Sequence, residues 1–159
     1  MSRTIDEKQR QKKEKSRKEE KSRKEERPAE TKDKKSEKTH PKAKPLCPSN
    51  VTKKVYDLVS LAKKNHTLKV GVNETIKKLN KGDAELVFLG GNALPFAIVE
   101  PLIVLCENKN RTFFFVPSVS ALGKACGLSR PVAACTVVYS EDSTIRKLVS
   151  EIREQMINL

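Results

Sequence analysis

The sequence predicts an α/β domain with helices on both faces of a small sheet, preceded by a disordered, charged tail. Three observations carry this. From about Ser49 onward, stretches with apolar residues at helical spacing alternate with short apolar runs, which is the pattern of an α/β domain. Two of those runs, Leu86-Val87-Phe88-Leu89 and Phe113-Phe114-Phe115-Val116, are continuous, as expected of strands buried on both faces. Residues 1–44 carry 18 Lys or Arg and 10 Asp or Glu, with almost no apolar side chains. Such a segment buries too little surface to offset the entropy of ordering.

The tail contains a direct six-residue repeat, Lys15-Ser16-Arg17-Lys18-Glu19-Glu20 followed by Lys21-Ser22-Arg23-Lys24-Glu25-Glu26. That period fits neither a heptad nor a helical stripe, so the repeat reads as low complexity. Pro45 and Pro48 mark the boundary, giving a tail over 1–44 and a domain over 45–159. Val55, Leu58, Val59 and Ala62 then form a helical stripe after the cap candidates Ser49 and Asn50. Leu68–Val70 is a short strand leading into a helix over Gly71–Lys81, which Gly82 closes. Glu85–Leu89 is the next strand, followed by the Gly90-Gly91-Asn92-Ala93 loop. A helix from Leu94 or Pro95 to about Asn108 holds Pro101 in its interior, which predicts a kink unless that helix starts later. Thr112–Val116 is a strand, and Ser118 caps a helix ending near Gly127. Leu128–Pro131 is a loop, Val132–Val138 a strand, and Ser140–Leu159 a final helix with Ile145, Leu148, Val149 and Ile152 as its stripe.

The 159 residues give room for one ordinary domain plus the tail, and the net charge of +13 points to a polyanionic partner, nucleic acid before a membrane surface. No apolar run approaches bilayer length and the first residues open no signal peptide, so a soluble intracellular protein is expected, with no membrane partner. Cys47, Cys106, Cys126 and Cys135 lack CxxC spacing and sit mostly in apolar surroundings, which suits buried reduced thiols and no metal.

The helix over Gly71–Lys81 is the stretch most open to function. Val72, Ile76 and Leu79 share one narrow stripe, leaving Asn73, Glu74 and Lys77 as a contiguous polar arc near the helix N-terminus. Backbone N–H groups and the positive dipole end attract phosphate there. A carboxylate suits a phosphate surface poorly but accepts well from base N–H groups, while Asn73 and Lys77 supply donors. A solvated face with an i,i+3 ion pair is the plainer reading of the same residues. Ligands of open α/β sheets gather at the C-terminal ends of strands, and in this reading the loops Gly90–Leu94 and Leu128–Val132 meet the helix start there.

The chain from about Lys44 to the end resembles the kink-turn RNA-binding family, which includes large-subunit ribosomal proteins and core proteins of snoRNPs. The motifs that carry the likeness are Gly71-Val72-Asn73-Glu74 with Lys77 and Leu79-Asn80-Lys81-Gly82, then Leu105-Cys106-Glu107-Asn108-Lys109-Asn110 and Val116-Pro117-Ser118. They continue through Ala121-Leu122-Gly123-Lys124-Ala125-Cys126-Gly127 and Ser129-Arg130-Pro131-Val132. Within the family the chain is most similar to the branch shared by the spliceosomal tri-snRNP and box C/D snoRNPs. The Asn92-Ala93-Leu94-Pro95 segment leans instead towards the H/ACA snoRNP branch.

The resemblance implies a three-layer α/β/α sandwich around a small mixed sheet, no enzymatic activity and no cofactor. It implies that Asn73, Glu74 and Lys77 read the tandem sheared G·A pairs of a kink-turn, that Lys69 and the helix's own backbone N–H groups hold phosphates, and that Gly71 is among the RNA-binding residues. Pro95, Ile98, Arg130 and Val132 would line a pocket around the flipped-out nucleotide. The implied partners are spliceosomal small nuclear RNA, box C/D snoRNA and Nop-domain proteins. The expected form is a monomer in the nucleus and nucleolus, with an H/ACA or ribosomal role as the alternative. Two positions depart from the branch pattern: Leu94 stands where it has an acid, and Val119 where it has Lys or Arg. Their apolar side chains predict weaker dependence on the flipped nucleotide.

Catalysis finds little footing. Gly90-Gly91 lacks the Lys and Ser/Thr of a phosphate-binding loop and makes a turn. No Cys neighbours a His in sequence, Cys126 reads as a core residue, and His66 has no second ligand at metal spacing.

Overall fold

The computed structural model describes residues 38–158. The low-complexity repeat and the rest of residues 1–37 lie outside them. Five α-helices and four strands follow in the order α1 (Ser49–Lys64), β1 (Leu68–Val70), α2 (Val72–Lys81), β2 (Ala84–Gly90), α3 (Glu100–Asn108), β3 (Thr112–Val116), α4 (Val119–Ala125), β4 (Ala134–Val138) and α5 (Ser143–Ile157), with a short 3-10 turn at Phe96–Ile98 before α3.

The sheet runs β1-β4-β2-β3. β4 is antiparallel to both its neighbours, while β2 and β3 are parallel. The C-terminal ends of β1, β2 and β3 therefore lie at one edge, together with the start of β4. Alternation along β2 sends Leu86 and Phe88 to one face and Val87 and Leu89 to the other. The first face packs under α1, α4 and α5 through Val55, Leu58, Leu122, Ile145 and Val149. The second packs under α2 and α3 through Leu79, Leu102 and Cys106. This is the expected three-layer sandwich. A register shift between Ala84 and Leu86 places Ala84 on the Val87 face, as a bulge of one residue does.

Several boundaries differ from expectation, each for a local reason. Neither Ser49 nor Asn50 caps α1. The N-cap position is Pro48, whose carbonyl accepts from Thr52 N–H and Thr52 Oγ1, both at 2.9 Å. The segment after Asn92 is not one kinked helix: it divides into the 3-10 turn after Pro95 and α3. Pro101 falls in the first turn of α3, where its missing N–H has no partner to lose, and it causes no kink. β4 begins two residues after Val132. α5 begins at Ser143 because Asp142 caps it, accepting from Thr144 N–H at 2.9 Å, while Ser140 Oγ accepts from Asp142 N–H in the preceding turn. Two expected helix ends hold. Ser118 caps α4 by accepting from Ala121 N–H, and Gly82 ends α2 in the left-handed region, with Gly82 and Asp83 N–H groups returning to Leu79 and Lys78.

Residues 39–44, which composition alone groups with the tail, lie against the folded part. Ala43 is buried, and the His40 ring stacks on Phe96 at 4.1 Å. All four cysteines are buried free thiols. Burial pushes Cys47 up to about 12 and Cys106 up to about 11.

Leu79 is fully buried and holds α2 against the sheet. Leu79→Ala is expected to lower unfolding free energy by about 2–5 kcal/mol, read from denaturant melts. A loss below about 0.5 kcal/mol, the range of ordinary surface substitutions, would contradict this placement.

Candidate nucleic-acid interface

The turn from β1 into α2 leaves no linking residue other than Gly71, whose φ of 104° lies where side chains are strained. Its N–H donates to Ala134 O at 2.8 Å, and its carbonyl accepts from Thr75 N–H at 3.0 Å and from Thr75 Oγ1 at 2.9 Å. Thr75 was not legible as a core residue, yet it is fully buried; its hydroxyl folds back one turn, the usual way a helical threonine hides its polarity. No side chain caps the helix start. The N–H groups of its first turn therefore face outward beside Asn73, Glu74 and Lys77.

Asn73 and Lys77 are exposed and Glu74 half-exposed. Lys77 Nζ donates to Glu74 Oε1 at 2.8 Å, with side-chain exposures of 67% and 47%. The Lys77 hydrogen bond and charge, with Lys69 and Lys78 beyond, hold the Glu74 carboxyl below the usual carboxylate range, and Glu74 in turn raises Lys77. An exposed pair of this kind contributes little to stability. Its effect is orientation: one Glu74 oxygen and the remaining Lys77 N–H donors still point outward.

Backbone hydrogen bonds tie the other two loops to the same sheet edge. Gly90 N–H donates to Ala133 O at 2.8 Å and Gly91 N–H to Val116 O at 2.7 Å. Asn92 Oδ1 accepts from Val119 N–H at 2.8 Å, and Val119 O accepts from Val132 N–H at 3.0 Å. The Gly90–Leu94 loop, the start of α4 and the Leu128–Ala133 loop are thus one connected unit beside Gly71. The three-way convergence expected from the sequence is present.

Within it the expected site residues differ in what they offer. Lys69 lies on β1, and Gly71, Asn73, Glu74 and Lys77 share one edge. Pro95 is exposed, Ile98 is 41% exposed and Arg130 is exposed. Val132, by contrast, is 5% exposed and packs in the core under α1, α4 and α5. Its contribution to the surface is the path it imposes on Arg130 and Pro131. Leu94 is 89% exposed, an apolar side chain presented to solvent, whereas Val119 is half-buried with its methyl groups over Gly90.

Sequence reasoning missed three contributors. Asn92 links two loops through its amide, and only its place after Gly90-Gly91 hinted at it. Phe96 and His40 stack beneath the Pro95–Ile98 turn, a pairing across 56 positions that no local pattern reveals. Gly123 lies in α4 where a methyl group would meet the Arg130 carbonyl.

Gly123→Ala is therefore expected to displace the Arg130 loop and to cost about 1–3 kcal/mol of stability, as overpacking does. Amide shifts at Ser129–Val132 together with a denaturant melt check this, and unchanged shifts would contradict it. For Glu74 the sign of the linkage is that of a lowered carboxyl. Its attraction to the lysines is present above the usual carboxylate range and is lost only as pH falls through the lowered value. Side-chain NMR titration should place the Glu74 midpoint below that of an ordinary glutamate, and Lys77→Met should move it up. A midpoint unmoved by that substitution would contradict the pairing.

Comparison with known proteins is consistent with this architecture. Residues 53–147 match the model of the ribosomal protein L7Ae/L30e/S12e/Gadd45 family. The NHP2-like protein 1 homolog of Drosophila melanogaster is 40% identical over 124 residues, covering 78% of this chain and 98% of that protein. The small nuclear ribonucleoprotein associated homolog 13 of Caenorhabditis elegans is 40% identical over 120 residues, covering 76% and 94%. Among solved structures, the Giardia lamblia 15.5kD RNA binding protein superimposes with a TM-score of 0.71 at 30% identity, covering 75% of this chain and 98% of that one. The chain belongs to the ribosomal protein L7Ae/L30e/S12e/Gadd45 family.

Proposed function

We propose that this chain is a non-catalytic RNA-binding protein that recognises and stabilises kink-turns through the first turns of α2. The observation that carries the reading is the Asn73-Glu74-Lys77 arc, open to solvent at an uncapped helix start and set beside two loops. Its mixture of donors and acceptors suits base edges better than phosphates alone. Tandem sheared G·A pairs expose edges that regular A-form helices hide in a deep, narrow groove. Glu74 accepts from guanine N–H groups, and Asn73 and Lys77 donate. Lys69 and the helix N–H groups hold phosphate, while Pro95, Ile98 and Arg130 flank a flipped-out nucleotide along the path set by Val132.

The relatives support an RNP setting. The Giardia lamblia protein is named for RNA binding and the Caenorhabditis elegans protein for small nuclear ribonucleoproteins. We assign the RNA to spliceosomal small nuclear RNA and box C/D snoRNA in the nucleus and nucleolus, with Nop-domain proteins docking on the bent complex. By binding the bent state preferentially, the protein shifts the RNA equilibrium towards it.

The test is binding of the full chain to a kink-turn RNA and to the same RNA with its G·A pairs made Watson–Crick, at matched salt. A preference of about two orders of magnitude, roughly 3 kcal/mol, is expected. Glu74→Gln should weaken kink-turn binding by about 1–3 kcal/mol, the worth of a good base contact, and leave the control RNA unaffected. Equal, weak binding to both RNAs by the unaltered protein would overturn the reading.

A further inference from the structure

We infer that the strap formed by residues 38–44 is a second RNA contact, one that grips phosphates beside the Pro95–Ile98 turn without reading sequence. The inference rests on the RNA-binding reading above and adds a surface to it. The strap, Lys38-Thr39-His40-Pro41-Lys42-Ala43-Lys44, holds three lysines and no acid in seven residues.

It is fastened where the loops meet. His40 N–H donates to Gly91 O at 2.7 Å, and the His40 ring lies on Phe96 at 4.1 Å and 12°. Phe96 in turn stacks on Phe115 of β3 at 5.9 Å. A turn follows, in which Ala43 N–H donates to His40 O and Lys42 N–H to His40 Nδ1. Ala43 is buried in the core under α2 and α3. Beyond the strap, Pro45 O accepts from Phe115 N–H and Cys47 N–H donates to Phe115 O, both at 2.8 Å. The segment is therefore held at both ends across the ends of β2 and β3.

Its lysines are displayed by this anchoring. Lys42 pairs with Glu100 at 3.3 Å. Lys38 and Lys44 are exposed, and among the described residues neither is paired with a carboxylate. A compact ammonium on a flexible stem meets phosphate as a point charge, without the fork geometry that selects a base. Because the backbone is already ordered, engaging these lysines costs less entropy than ordering a free segment. The occupant that fits is the sugar-phosphate backbone of an RNA strand running past the Pro95–Ile98 turn, whatever its base pairing.

The experiment is a salt titration of full-chain binding to the kink-turn RNA and its Watson–Crick control, with unaltered protein and with Lys38→Gln/Lys44→Gln. Two lost phosphate contacts should make the slope of log affinity against log salt shallower by about 1–2. Affinity should fall for both RNAs alike, leaving their ratio unchanged. His40→Ala, checked for native circular dichroism, should reproduce part of the loss with both lysines in place. If the double variant keeps the parent slope and affinity, the strap lysines are merely solvated and the inference is overturned. A loss confined to the kink-turn RNA would also overturn it, since the contact would then be reading structure. Failure of the kink-turn reading looks different: the unaltered protein would show no preference between the RNAs, whatever the strap does to the slope.

Discussion

Two consecutive carbonyls at the start of β4 hold the proposed RNA-binding end of this protein together. Successive carbonyls of an extended chain point in opposite directions. Ala133 O therefore takes the N–H of Gly90 on one side, and Ala134 O takes the N–H of Gly71 on the other, each at 2.8 Å. Because β4 runs between β1 and β2, the exits of both neighbouring strands are fixed to the same two residues. The start of α2 and the Gly90–Leu94 loop cannot shift independently, and Val132, bonded to Val119 O, carries the restraint to α4. Such backbone restraint suits a surface that must match a bent nucleic acid, because less ordering remains to be done on binding.

The charge distribution builds on that frame. A net charge of +13 attracts any polyanion, but attraction alone does not discriminate among RNAs. Glu74 differs: it is a carboxylate beside Lys77, with Lys69 and Lys78 beyond, and they hold it below the usual carboxylate range. In the proposed kink-turn reading it opposes phosphate at one point and favours a base edge there, and lysines elsewhere, those of the strap included, add affinity without altering that choice.

The fold was largely legible because its signals are local. Continuous runs such as Leu86–Leu89 and the stripes of α1, α2 and α5 are set by periodicities that hold within a dozen residues. The polar arc of α2 was legible for the same reason. What escaped was decided across the chain or by a single competing contact. Pro101 left two readings open, an interior kink or a later helix start, because nothing nearby shows that the helix starts at Glu100. Val132 was expected to line a pocket only through the family resemblance, and no local pattern shows that its N–H is held by Val119 and its side chain turns into the core. His40 was grouped with a charged tail by composition, which is blind to a ring stacking on Phe96. Gly123 carries no local signal, because its reason is the Arg130 carbonyl packed against it.

The proposed function places RNA at the sheet edge where α2, the Gly90–Ile98 segment and the Leu128–Val132 loop meet. The most direct test is amide chemical-shift mapping of the full chain titrated with a kink-turn RNA. The largest shifts are expected at Lys69–Lys77, Gly91–Ile98 and Ser129–Val132, with the outer faces of α1 and α5 silent. Shifts concentrated on α1 and α5, with Asn73, Glu74 and Lys77 unmoved, would contradict it.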